Sequence, residues 1–200
     1  MQNQNKNILI AGVGGQGTLL TSRIIARTAV QMGYDVKVSE VHGMAQRGGS
    51  VVSQVRYGKK VYSPIIRKGD ADIILAFEKI EAARWLDYLK PGGTIIINNI
   101  RVDPLPVLSG KAKYPDDIAD KISSFVEKAF VVDADKIAES CGSIRAANVV
   151  MVGIFASVFG IPEEEVKKAI QYLVPAGFLE INLAAFDEGK KIFIELNRVK

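Results

Sequence analysis

The chain is short of the residues that build redox and metal centres. Among 200 residues there is one cysteine, Cys141, and one histidine, His42. A lone cysteine excludes an intramolecular disulfide and a cysteine-rich metal cage. It also leaves no set of four thiolates for an iron–sulfur cluster held by this chain alone, and one histidine rules out a three-histidine zinc site. Charge does not gather: the net +4 comes from lysines and arginines spread along the sequence. With no basic stripe interleaved with aromatics, nucleic-acid binding has no footprint here. The longest apolar run, Val149 to Gly160, is too short to span a bilayer. The start, MQNQNKNILIAG, is polar and then strand-like, unlike a secretory signal. The expectation is a single domain over residues 1–200, cytoplasmic, with no membrane contact.

What is present reads as alternating strands and helices. NILIAG (7–12) is a short apolar run closed by glycine, and residues 16–32 carry a helical period with one polar stripe of Arg23, Arg27 and Gln31. Strands are expected at 34–41 and at SVVSQVRYG (50–58). A further strand is expected at KVYSPII, turning back through a hairpin at Gly58-Lys59-Lys60. DADIILAFE and TIIINNI read as central strands, separated by the helix KIEAARWLDYLK, which stops at Pro91-Gly92-Gly93. A proline-rich loop covers 101–115, followed by a helix from Pro115 and a last strand at FVVDAD. From Ser143 on, only helices are expected. The class is α/β, a three-layer α/β/α arrangement with a mixed, mostly parallel sheet and a helical C-terminal third.

GVGGQG (12–17) stands between an expected strand and an expected helix. Gly12, Gly14 and Gly17 fit the G-x-G-x-x-G spacing, in which glycine allows a tight turn and backbone N–H groups approach an anion at a helix N-terminus. Glu40 ends the second strand, where a dinucleotide site wants an acid for ribose hydroxyls. Two readings stand: a phosphate-bearing ligand, or close strand–helix packing. A stand-alone NAD(P)-binding dehydrogenase or a non-catalytic nucleotide module fits the motif, but no general acid or base follows it. His42 and Arg47, past the second strand, border the same expected crevice, either as ligand contacts or as pins for their own loop. Cys141 stands at a helix start as a thiol of lowered pKa or as a small buried hydrophobe. Arg145 and Asn148, one turn apart on an otherwise apolar helix, either reach a ligand or partner or form that helix's wet edge. Gly69-Asp70 is followed by Ala71, so the Gly-Asp-Gly of a thiamine diphosphate site is broken, although Asn98-Asn99 follows downstream.

Together, ILIAGVGGQG, EVHGMAQRGGSVVSQVRYG and DADIILAFEKIEAARWLDYLKPGG resemble the gamma-type domain of 2-oxoacid:ferredoxin oxidoreductases, and in HGMAQRGG the small subunit of the indolepyruvate-specific members. The resemblance runs from Asn7 into the C-terminal helices. It implies a subunit that works in a complex converting an aryl 2-oxoacid, coenzyme A and oxidised ferredoxin to acyl-CoA, carbon dioxide and reduced ferredoxin. Thiamine diphosphate, Mg and [4Fe-4S] clusters would reside on the large (alpha) subunit, with ferredoxin reached through the holoenzyme. By motif match, Gly12, Gly14, Gly15, Gln16 and Gly17 form one loop beside the active site. His42, Gln46, Arg47, Gly48 and Gly49 form a second, both toward coenzyme A, with Glu40 at the strand end between them. No residue receives a proton-transfer role.

Overall fold

The structure, a computed structural model, describes residues 5–43 and 48–198. Six strands form one sheet: β1 (Lys6–Val13), β2 (Asp35–His42), β3 (Ser50–Gly58), β4 (Ala71–Ala76), β5 (Leu89–Asn98) and β6 (Lys128–Val132), in the order β2-β3-β1-β4-β5-β6. β1, β4, β5 and β6 pair in parallel, while β3 runs antiparallel to both β1 and β2. The sheet is therefore mixed with a single reversed strand.

The reversal is not where the sequence suggested. Residues 59–70 form no strand and no hairpin at Gly58; they run as a strap across the sheet. Two β3 side chains hold it in that course. Arg56 Nη1 donates to the carbonyls of Ser63 and Ile65 at 3.0 Å each, and Gln54 Oε1 accepts from Ile66 N–H at 2.6 Å. These bonds take backbone groups that a strand ladder would have used. β3 turns back instead at its other end, where it follows β2 and pairs with it from His42↔Val51 to Asp35↔Gly58.

Strand composition follows position. β4, inside the sheet and covered on both faces, is a near-continuous apolar run, whereas the edge strand β2 (DVKVSEVH) mixes Asp, Lys, Ser, Glu and His with valines. Successive residues of β1 serve opposite cores: Ile8 and Ile10 face one, Leu9 and Ala11 the other. The first core takes α1 (Thr18–Gln31) and nearly all of the C-terminal third. That third is α5 (Ala134–Ser140), which was not expected from sequence, α6 (Ala147–Phe159), α7 (Glu163–Leu173) and α8 (Leu179–Arg198). The second core takes α2 (Lys79–Trp85) and α4 (Ile118–Phe125). The proline-rich segment contains only the one-turn helix α3 (Leu105–Leu108). β5 begins earlier than expected, at Leu89, with a register shift against β4 where Pro91-Gly92-Gly93 enters.

α6 is buried through residues 147–156. A helix apolar all round must be covered all round, and α8 covers it at backbone contact. A Cβ on Gly153 would lie 2.3 Å from the Phe186 carbonyl oxygen, and one on Gly189 would lie 2.1 Å from the Val150 carbonyl oxygen. The polar stripe of α1 stays exposed at Arg23 and Arg27, while its C-terminal half also contacts α7: Arg27 stacks 4.0 Å over the Tyr172 ring, and Gln31 reaches Glu165. Among the described residues, no helix is long and apolar enough to cross a membrane.

Candidate functional site

The carboxyl ends of β1, β4, β5 and β6 lie along one edge. Because β3 and β2 extend the sheet on one side of β1, and β4 to β6 on the other, the direction of strand succession reverses at β1/β4. In open α/β sheets such a point forms a crevice, and the glycine loop stands over it. Here the crevice is partly sealed by the loop itself. Gln16 Oε1 accepts from Val13 N–H at 2.7 Å, and its Nε2 donates to the Phe77 carbonyl at 3.1 Å, stitching the end of β1 to the end of β4. Gly12 lies under this stitch; a Cβ there would meet Gln16 Oε1 and Thr18 Cγ2 at 2.9 Å.

The loop then rises to Gly15 (φ 107°) and Gly17 (φ 82°), both left-handed, and Gly17 caps α1 with no side-chain hydrogen bond. The first-turn N–H groups of α1 are thereby left without a side-chain acceptor, at the positive end of the helix dipole. A second glycine pair locks onto the first: Gly14 N–H donates to the Gly49 carbonyl at 2.9 Å, and Gly48 N–H to the Gly14 carbonyl at 3.4 Å. One residue on, Ser50 Oγ donates to the buried carboxylate of Glu81 at 2.5 Å. The neighbouring Glu78, 1% exposed, caps α2 and accepts from the Tyr114 hydroxyl at 2.5 Å. Burial, and then that hydrogen bond, push the Tyr114 phenol well above its ordinary range, so it remains a donor.

The glycine ridge separates two clefts. One, of about 560 Å³, is lined by Gly14, Gly15, Gly17, Arg23, Glu40 and His42. The other, of about 430 Å³, is lined by Gly15, Gln16, Gly17, Asp135, Arg145 and Asn148, among others. The structure therefore gathers Glu40, His42 and the glycine loop around one hollow, and Gly48 and Gly49 back it from behind. Gln46 and Arg47 lie outside the described residues. Glu40 does not stand where a dinucleotide fold puts its acid: β3 lies between its strand and β1, displacing it by one extra strand, about 5 Å. Gln16 spends both ends of its amide on the ends of β1 and β4.

Two residues at these clefts carried no motif, Arg23 and Asp135, and Asn98 was read only as part of the broken thiamine diphosphate pattern. Arg23 belonged to the helical stripe, but unlike Arg27 it faces a hollow. Arg145 and Asn148 resolve differently from each other. Arg145 is exposed, while Asn148 is 2% exposed and packs on Gly17, donating to its carbonyl at 3.4 Å.

A thiamine diphosphate site does not fit this chain. Asp70 pairs with Arg67 at 2.9 Å. Asn98 accepts from Ala134 N–H at 3.0 Å and donates to Asp135 at 2.8 Å, and Asn99 donates to Asp133 at 3.1 Å, so both asparagines hold the β6–α5 turn. No group of three or more His, Cys, Asp or Glu suited to a metal occurs among the described residues. Cys141 caps the C-terminal end of α5, half-buried against the first core, rather than opening a helix. What the edge offers chemically is anion recognition: open backbone donors between two arginines.

The chain belongs to the pyruvate ferredoxin/flavodoxin oxidoreductase family, which matches residues 7–192. Within it, the chain is 41% identical to the indolepyruvate oxidoreductase subunit IorB of Thermococcus kodakarensis, over 95% of this chain and 96% of that one. The fold is that of the gamma subunit of a keto/oxoacid ferredoxin oxidoreductase from Geobacter sulfurreducens PCA (TM-score 0.71, 24% identity, 95% of this chain and 99% of that one). It also superposes on part of the 2-oxoglutarate:ferredoxin oxidoreductase of Magnetococcus marinus (TM-score 0.73, 24% identity), covering 97% of this chain but 32% of that one.

Proposed function

We propose that this chain is the small subunit of an indolepyruvate (aryl 2-oxoacid):ferredoxin oxidoreductase, acting as one gamma-type domain that completes an active site housed mainly on a large subunit. The observation that carries the reading is the 41% identity to the Thermococcus subunit along nearly the full length of both chains. The reaction consumes a 2-oxoacid, coenzyme A and oxidised ferredoxin, and yields acyl-CoA, carbon dioxide and reduced ferredoxin. Thiamine diphosphate, held by the large subunit with Mg, supplies carbanion stabilisation, and [4Fe-4S] clusters there carry single electrons.

This chain's own contribution is positioning. Gly12, Gly14, Gly15, Gln16 and Gly17 set the ridge. Gly48 and Gly49 brace it, and Glu40 and His42 border it on the coenzyme A side; Gln46 and Arg47 lie outside the described residues and join this loop by motif match alone. Open N–H donors at the head of α1 suit the phosphates of that co-substrate. No general base is assigned among these residues.

Co-expression with the large subunit tests the reading. The expected outcome is a brown complex whose indolepyruvate oxidation requires thiamine diphosphate, coenzyme A and ferredoxin, with this chain colourless and inactive alone. Turnover by this chain without a partner, or failure to co-purify, sinks it.

A further inference from the structure

Two acids stand at the head of α2, and the helix needs only one of them. Glu78 is the cap: its Oε2 accepts from the N–H of Ile80 at 2.6 Å and of Glu81 at 3.1 Å. Glu81 follows in the first turn with its side chain only 5% exposed. A carboxylate that deep is costly unless its oxygens are hydrogen-bonded. Its Oε1 accepts from Arg84 Nε at 3.1 Å, one turn along. Its Oε2 accepts from Ser50 Oγ at 2.5 Å, 31 residues away. Ser50 directly follows Gly48-Gly49 and forms the last pair of the β1–β3 ladder, opposite Val13. A ladder frays from its end, so this bond holds β3 where the backbone pairing gives out.

The same short stretch also holds the first glycine loop. Phe77, the residue before the cap, accepts from Gln16 Nε2 at 3.1 Å and gives its N–H to the Ala11 carbonyl at 2.8 Å. Residues 77–81 therefore tie both glycine loops from one side, and the loops meet each other through Gly14 N–H and the Gly49 carbonyl at 2.9 Å. Of these three ties, Gln16 to Phe77, Gly14 to Gly49 and Ser50 to Glu81, the last alone joins two side chains. We propose that Glu81 is a positioning residue: acting through Ser50, it fixes Gly48 and Gly49 where they meet Gly14, and so sets the border presented to the co-substrate. Glu81 itself touches no ligand. A hydroxyl bonded to a carboxylate is held more firmly than one bonded to a neutral acceptor, which explains why an acid is kept buried at a helix head that already has its cap. The inference deepens the reading of this chain as the coenzyme A side of an oxidoreductase and rests on it for the identity of the co-substrate. The tie itself belongs to this chain alone.

The test has two arms. In the full chain without a partner, urea unfolding of Ser50→Ala, Glu81→Leu and the double variant forms a double-mutant cycle. The pair should show a coupling of about tenfold in the unfolding constant, the double variant losing little more than Glu81→Leu alone. In the complex with the large subunit, Ser50→Ala should raise the apparent KM for coenzyme A about threefold while kcat stays within about twofold. The KM change is smaller than the coupling because the Gly14–Gly49 bond still holds the loops together. Ser50→Thr, which keeps the hydroxyl, should restore both the stability and the KM. Lys90→Ala, which breaks the pair with Asp72 at the opposite edge of the sheet, should lower stability and leave the KM alone. Additive losses in the cycle, an unchanged KM in Ser50→Ala, a KM raised equally by Lys90→Ala, or no rescue by Ser50→Thr each overturns the proposal. A parent complex that does not use coenzyme A sinks the functional reading instead, and the cycle in the isolated chain still reports the tie.

Discussion

Two places in this molecule depend on glycine, for opposite reasons. At the ridge, Gly15 and Gly17 take left-handed backbone angles so that the chain can present open donors at the head of α1. At the α6–α8 crossing, Gly153 and Gly189 stand inside regular helices and serve only by lacking a side chain, letting two backbones touch. The first use trades conformational freedom for a surface that can bind. The second trades side-chain packing for proximity, and holds the helical third on the sheet. The lesson is that glycine at the ridge is replaceable at a functional cost, whereas glycine at the crossing is replaceable only at the cost of the fold.

The contrast can be broken most forcefully at the crossing. Gly189→Ala puts a Cβ on the Val150 carbonyl and must drive α8 away from α6. We expect a loss of about 3 kcal/mol or more, read as a lower midpoint of urea unfolding. Gly153→Ala should behave alike, and the double variant should lose less than the sum, because both residues relieve one contact. Gly17→Ala comes next: a left-handed angle and a 2.8 Å approach to Asn148 Nδ2 together should cost about 2 kcal/mol. This variant should also raise the apparent Michaelis constant for coenzyme A in the reconstituted complex. Gly15→Ala sharpens the contrast, since nothing lies within 4 Å of its added methyl. Only the backbone penalty of about 1 kcal/mol remains, so stability should fall slightly while coenzyme A dependence shifts; the reverse ranking would refute the division of roles.

The smallest effect concerns how the crossing is tied from outside. Glu163 on α7 bonds both Lys167 and Lys190, the latter next to Gly189. These lysines, Lys167 foremost, hold the Glu163 carboxyl down at about 2. A folded value below the ordinary 4.5 stabilises above that pH and is lost as pH falls from about 4.5 toward about 2. With the carboxylate about one-third exposed, solvent screening limits the gain to less than about 1 kcal/mol. Glu163→Gln should flatten the acid limb of the stability curve in that window.

Much of the layered fold was legible because its signals are local. The apolar runs of β1, β4 and β5, GVGGQG between strand and helix, and Pro162 with three glutamates at the head of α7 each announce themselves within a few residues. The strap at 59–70 was not, since KVYSPII has strand composition, and Arg56 and Gln54 from β3 with Asp35 from β2 take its backbone groups and keep it out of the sheet. Nor was the role of Gln16 legible: a polar residue amid glycines reads as a ligand contact, yet its amide is consumed by the ends of β1 and β4. Arg27 and Arg23 share one helical stripe, and which of them meets Tyr172 and which faces a hollow depends on where α7 packs. The crossing glycines are the clearest case, for they sit in two helices separated by α7, and nothing near either one in sequence indicates that they meet.

The reversed strand carries a practical consequence. Because β3 enters the sheet at the edge where β1 leaves it, loops travelling in opposite directions end up clasped through the Gly14 amide and the Gly49 carbonyl. That amide proton is a built-in gauge. Its exchange with deuterated water should be slow while that hydrogen bond is made and fast when it opens. One resonance would then report, in the isolated chain and in the assembled complex, how much of the time the site is held ready.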